Sequence, residues 1–172
     1  SLAPIDWASL KGGPWVPTSL TTVHRMLAMA DVKPGELVYD LGSGDGRILV
    51  VAARNFKARA VGIEIDPLLH LLSKLLITLI GLHGQVQVVH GDIFTQDLSK
   101  ADVVTCFLLP SINEKLAEKL AGELRPGTRV VSNTFIFPGL PLTHKEGRNI
   151  YVYRIPNHAA LSKNRHSSTP RS

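Results

Sequence analysis

The apolar positions of this chain keep two rhythms in turn. Continuous apolar runs over residues 37–40, 58–65, 85–90, 101–110 and 128–135 read as buried strands, the fourth together with its exit loop. Between them the spacing is helical. Residues 20–30 put Val23, Met26, Leu27 and Ala30 on one face, with Thr18 or Ser19 ahead as a cap. Residues 48–56 and 68–81 read as the next two helices, and Ser111 caps another that runs to about residue 122 with Leu116 and Leu120 on one side. A last strand spans 149–155, separated from the fifth only by a short segment around 138–147. Strand and helix alternating in this way predict an α/β chain: a Rossmann-like, doubly wound, mostly parallel sheet with its ligand at the carboxyl ends of the strands.

One helix breaks the pattern of an ordinary outer helix, which should be half polar. After the Asp66-Pro67 entry, Leu68, Leu69, Leu71, Leu72, Leu75, Leu76, Ile77, Leu79 and Ile80 leave only His70, Lys74 and Thr78 as a narrow polar stripe. The segment is too short to span a bilayer, which takes about 20 apolar residues. It can be buried under the N-terminal leader, form a homodimer face, or touch a membrane surface; the first two are favoured because folded chains bury such surfaces. His70 reads as part of the polar stripe, not as a ligand.

The chemistry gathers where the strands end. The first run closes on Asp40 and breaks into Gly42-Ser43-Gly44-Asp45-Gly46-Arg47, whose glycines permit tight or left-handed backbone and close approach to a ligand. Taken alone such a turn is shared by dehydrogenases, kinases and plain tight turns, but its spacing is neither G-x-G-x-x-G nor a phosphate loop. About 20 residues further on, a second run ends at Glu64, placed to take two ribose hydroxyls. A third leads to Asp92. Three successive strands each finished by an acid form one combined signal.

This set resembles the class I S-adenosylmethionine-dependent methyltransferases. The resemblance implies that Asp40, Gly42 and Gly44 line the methionine part of the donor, Glu64 holds its ribose, and Asp92 meets the adenine amino group. Ser43, Asp45, Gly46, Arg47, Ile65, Ile93, Phe107 and Leu108 complete the implied cofactor site. It also implies an antiparallel last strand, and with so little chain around 138–147 the family's late helix and sixth strand must be abbreviated.

A closer resemblance rests on Trp15-Val-Pro-Thr18, Asp40 to Arg47, Gly62-Ile-Glu-Ile-Asp-Pro67 and Phe107-Leu-Leu-Pro110. Together these are similar to the small protein-lysine methyltransferases: the broad-specificity archaeal enzyme and the mitochondrial enzymes acting on adenine nucleotide translocase and the ATP synthase c subunit. The match implies that Val16, Pro17 and Thr18 close over the methionine end. Phe107-Leu-Leu-Pro110 stands where base-amine and glutamine enzymes carry Asn/Asp-Pro-Pro-Tyr/Phe, which favours an aliphatic acceptor. The expected activity is methyl transfer from S-adenosyl-L-methionine to a protein lysine, leaving S-adenosyl-L-homocysteine, by in-line displacement in a dry site. Alternatives are a small-molecule or RNA methyltransferase, or a donor-binding module without catalysis. Trp15 is a lid or core aromatic or a substrate contact; Asn133, near the end of the fifth strand, orients an amine or serves the fold. With Phe107 they are the substrate-channel candidates. No general base and no metal set is assigned.

Composition changes this picture little. The 172 residues suit one domain, divided as a leader and lid segment over 1–18, a methyltransferase domain over 19–157, and a disordered basic tail over 158–172. The single Cys106 excludes an internal disulfide and fits a reducing compartment, the cytoplasm. The net charge of +5 owes much to the tail, and no basic run is interleaved with aromatics. The charge thus makes no case for nucleic acid, and the resemblance implies as partner a protein with an accessible lysine, a membrane protein included. Residue 1 is serine, so the sequence does not speak to an anchor or targeting segment ahead of it.

Overall fold

Every predicted strand forms, and two of their properties place the site: direction and alternation. The computed structural model describes residues 18–107, 110–134, 136–147 and 149–157. The elements run α1 (Leu20–Met29), β1 (Leu37–Leu41), α2 (Arg47–Phe56), β2 (Arg59–Glu64), α3 (Pro67–Leu79), β3 (Val86–His90), β4 (Val103–Cys106), α4 (Pro110–Glu123), β5 (Arg129–Asn133), β6 (Leu142–Glu146) and β7 (Ile150–Arg154). They build one seven-stranded sheet in the order β3-β2-β1-β4-β5-β7-β6. The first five strands are mutually parallel, and β7 is antiparallel to both β5 and β6.

Side chains alternate across each strand. Val38, Ala60, Val103, Val131 and Val152 pack on one face with Val23, Met26 and Leu27 of α1, Leu49 and Ala52 of α2, and Ile77 of α3. Leu41, Ile63, Val104, Val130 and Tyr153 pack on the other with Leu116 and Leu120 of α4. Beyond the apolar layer of the first face stand Asp40, Thr105 and Asn133, each two residues on, and Glu64, four residues beyond Ala60. All four are buried, at the carboxyl ends of neighbouring strands.

Two expectations are corrected. The sixth strand is present at full length, as β6 in the segment read as connector. Its Leu-Thr-His-Lys-Glu sequence lies almost wholly exposed on the sheet edge, so it shows no buried alternation, and its polar residues suit an unpaired edge. The late helix is indeed missing among the described residues between β5 and β6. In its place Phe137 and Leu140 are buried, and the Tyr153 hydroxyl accepts a hydrogen bond from the Phe137 amide at 3.0 Å. α4 begins at Pro110, one residue ahead of the Ser111 expected to precede it; proline is pre-set for the first helical position.

α3 keeps Lys74 and Thr78 of its polar stripe exposed and His70 half-buried. Ser73 and Ile77 are its buried residues, and the His70 ring reaches the Val88 carbonyl at 3.1 Å, while Leu68, Leu71, Leu72, Leu75, Leu76 and Leu79 are exposed. Close approach of the glycine turn bears on which side of α3 meets the sheet. A Cβ on Gly46 would stand 3.4 Å from that of Ser73, so the position facing the turn takes a small residue.

Candidate functional site

The turn after β1 is pinned from below. The amides of Gly42 and Ser43 both donate to the Ile63 carbonyl, at 2.8 and 3.0 Å. A Cβ on Gly62 would come within 2.7 Å of Ser43, so only glycine at 62 lets the turn lie this low over β2. Gly42, Gly44 and Gly46 hold φ of +76°, +57° and +85°, and Gly46 opens α2 as a cap without a side chain.

Glu64 closes the turn from the side. One of its carboxylate oxygens accepts from the Gly44 amide at 2.8 Å and the other from the Asp66 amide at 2.9 Å. The carboxylate thus ties the glycine turn to the β2–α3 turn, and each oxygen keeps a second lone pair for a ligand hydroxyl. Asp66 caps α3 through the amides of Leu68 and Leu69.

Arg47 couples this turn to the start of the described chain. Its guanidinium grips the Asp45 carboxylate, with Nη2 at 2.6 Å, and its Nη1 donates to the Thr18 carbonyl at 2.8 Å. Thr18 is therefore held at the mouth of the turn. Trp15, Val16, Pro17 and Leu108 lie outside the described residues.

Asp40 is the most perturbed acid. It is 2% exposed, and its carboxylate accepts a hydrogen bond from the Thr105 hydroxyl on β4 at 2.7 Å. Burial, opposed by that hydrogen bond and abetted by the Glu64 and Asp45 charges, raises its pKa to about 7. Thr105 carried no site prediction; its only sequence signal is a hydroxyl in the otherwise apolar Val103-Val104-Thr105-Cys106 strand. Cys106 is buried, and burial pushes its thiol pKa up, which leaves it inert.

Past the end of β2, Ile65 is 66% exposed, and past the end of β3, Ile93 is half-buried. Asp92 receives the Phe94 amide at 2.9 Å, which fixes the loop between them. Across the sheet, Phe107 is half-buried at the end of β4, and Asn133 ends β5. Thr134 follows at φ +78°, a strained value for a β-branched residue, held by its hydroxyl donating to Asn133 Oδ1 at 3.2 Å and its amide to the Asn149 carbonyl.

Seven strands in this order and three carboxylates around a glycine turn define a class I S-adenosylmethionine-dependent methyltransferase. The model of the ANTKMT methyltransferase domain matches residues 40–144, and the chain belongs to that family. It is 46% identical over 127 residues to a protein-lysine N-methyltransferase of Saccharolobus islandicus, covering 73% of this chain and 79% of that one. It is 37% identical over 125 residues to the adenine nucleotide translocase lysine N-methyltransferase of Mus musculus, of which it spans 54%. Among solved structures, an RNA methyltransferase from Salinibacter ruber in complex with S-adenosyl-L-homocysteine superposes with a TM-score of 0.77 at 42% identity, over 91% of this chain and 98% of that one.

S-adenosyl-L-methionine is the methyl donor, and the residues present fit it. Asp40, Asp45 and Glu64 gather at one turn with a single guanidinium, Arg47, engaged on Asp45. That surplus of carboxylate suits a ligand carrying an ammonium and a sulfonium.

Proposed function

We propose that this enzyme methylates lysine side chains of protein, and that the residues assembled above divide the work. The similarity to the archaeal protein-lysine N-methyltransferase carries the choice of acceptor. Asp40, with Gly42, Ser43, Gly44, Asp45, Gly46 and Arg47 around it, faces the methionine end of the donor. Glu64 takes the ribose, while Ile65, Asp92 and Ile93 border the adenine. Val16, Pro17 and Thr18 cover the methionine end, with Arg47 anchoring the last of them.

The bound donor supplies an electrophilic methyl group on sulfur. The chain's own task is to hold the acceptor amine in line, neutral and dry. A free lysine has a pKa near 10.4, and apolar surroundings near Phe107 beside a cation lower it. Asn133, buried and fixed by Thr134, has an amide oxygen able to accept a hydrogen bond from that amine. No general base is needed in this scheme. Residues 1–18 serve as leader and lid, and 158–172 as a basic tail.

A second reading is favoured by one observation, the description of the Salinibacter ruber structure as an RNA methyltransferase. Incubation with methyl-labelled donor and cell extract separates the two. Label should enter protein, as methyl-lysine on hydrolysis; label that is lost to ribonuclease, or extracted with small molecules, sinks the protein-lysine assignment.

A further inference from the structure

We propose that the outer face of α3 is a docking surface for an anionic lipid bilayer, on which the folded domain sits peripherally. Two independent observations meet there. Leu68, Leu71, Leu72, Leu75, Leu76 and Leu79 follow helical spacing i, i+3, i+4, i+7, i+8, i+11 and are 37–74% exposed. Nothing among the described residues covers them, and a stripe of this kind is a contact surface.

The second observation is charge. None of α1, α2 or α3, the three helices that cover this face of the sheet, contains an aspartate or glutamate. The acids at their margins are committed: Asp31 to Lys33, Asp45 to Arg47, Asp66 to the α3 amides, and Glu146 to Arg25. Arg54, Lys57 and Lys74 are exposed with no carboxylate partner among the described residues. The opposite face differs, since α4 alone carries Glu114, Glu118 and Glu123.

A leucine stripe on a basic, acid-free face has the physical signature of an interfacial helix: apolar side chains enter the headgroup boundary while cations meet anionic headgroups. A second copy is disfavoured by the same charges, because pairing two such faces sets like against like. RNA would meet the cations, yet it offers nothing for the leucines. Crossing the membrane is not at issue, as no helix among the described residues is long and apolar enough.

Co-sedimentation of the full chain with vesicles tests this without reference to methyl transfer. The protein should pellet with mixed phosphatidylcholine–phosphatidylglycerol vesicles and stay in solution with phosphatidylcholine alone. Binding should fall at least about tenfold in Leu71→Ser/Leu75→Ser, from lost apolar burial, and should weaken in Lys74→Glu and as salt shortens the Debye length. Circular dichroism and S-adenosyl-L-homocysteine affinity of the variants should match the parent, since these side chains are exposed and away from the site. Failure to pellet with the mixed vesicles overturns the proposal. So does equal binding to the neutral ones, or a sedimentation-equilibrium dimer that the double substitution dissociates.

Discussion

The hydroxyl of Thr105 stands 2.7 Å from the carboxylate of Asp40, and no lysine or arginine has a hydrogen bond or ion pair to that carboxylate among the described residues. An acid so placed holds its proton near neutrality. Thr105 can then turn its own hydrogen to the Tyr39 carbonyl, 3.4 Å away.

Stability should therefore fall as pH rises. The folded pKa of about 7 lies above the ordinary aspartate value of 3.8, so the folded chain binds more protons between the two. The favourable contribution is complete below the unfolded value and is lost as pH climbs through the folded one, on the order of 3–4 kcal/mol in the limit. Asp40→Asn should raise the melting temperature at pH 8 and change it little near pH 4.

Donor binding should show the opposite trend, because a cation beside Asp40 expels the proton. Affinity for S-adenosyl-L-methionine should rise by up to about tenfold per pH unit below pH 7 and level off above it. Calorimetry in two buffers of different ionisation enthalpy should register proton release, and Asp40→Asn should lose both that release and most of the affinity.

Glu64 serves the ligand and the fold together. Glu64→Ala should weaken S-adenosyl-L-homocysteine binding by about 1.5–3 kcal/mol, the scale of a lost charged hydrogen bond. It should also lower the melting temperature, because the Gly44 and Asp66 amides lose their acceptor. A drop in melting temperature with unchanged affinity would remove Glu64 from the ribose site.

Arg47→Lys keeps the charge and abolishes the fork that joins Asp45 to Thr18. Donor affinity should fall by roughly tenfold. Amide exchange at residues 18–20 should quicken, measured by mass spectrometry on the donor-bound enzyme.

Tyr153→Phe probes the helix-free link between β5 and β6. Without the hydroxyl the buried Phe137 amide is unsatisfied, which costs ~1–3 kcal/mol. The melting temperature should drop by several degrees with donor affinity intact.

Much of this was written in the order of residues. Apolar runs closing on Asp40, Glu64 and Asp92 marked the parallel strands and the glycine turn, because strand burial and left-handed backbone are local demands; the donor class followed from the resemblance those motifs carry. β6 was not legible, since an exposed edge strand carries no apolar period. Thr105 was not legible either: a threonine within a strand acquires meaning only when register sets it beside Asp40. The leucines of α3 announced an apolar surface, but which side of the helix met the sheet was settled by the glycine turn pressing on Ser73. The acid-free face arose only when three helices far apart in sequence were laid on one side of the sheet. Contacts between residues distant in the chain depend on packing, and packing exists only in the folded molecule.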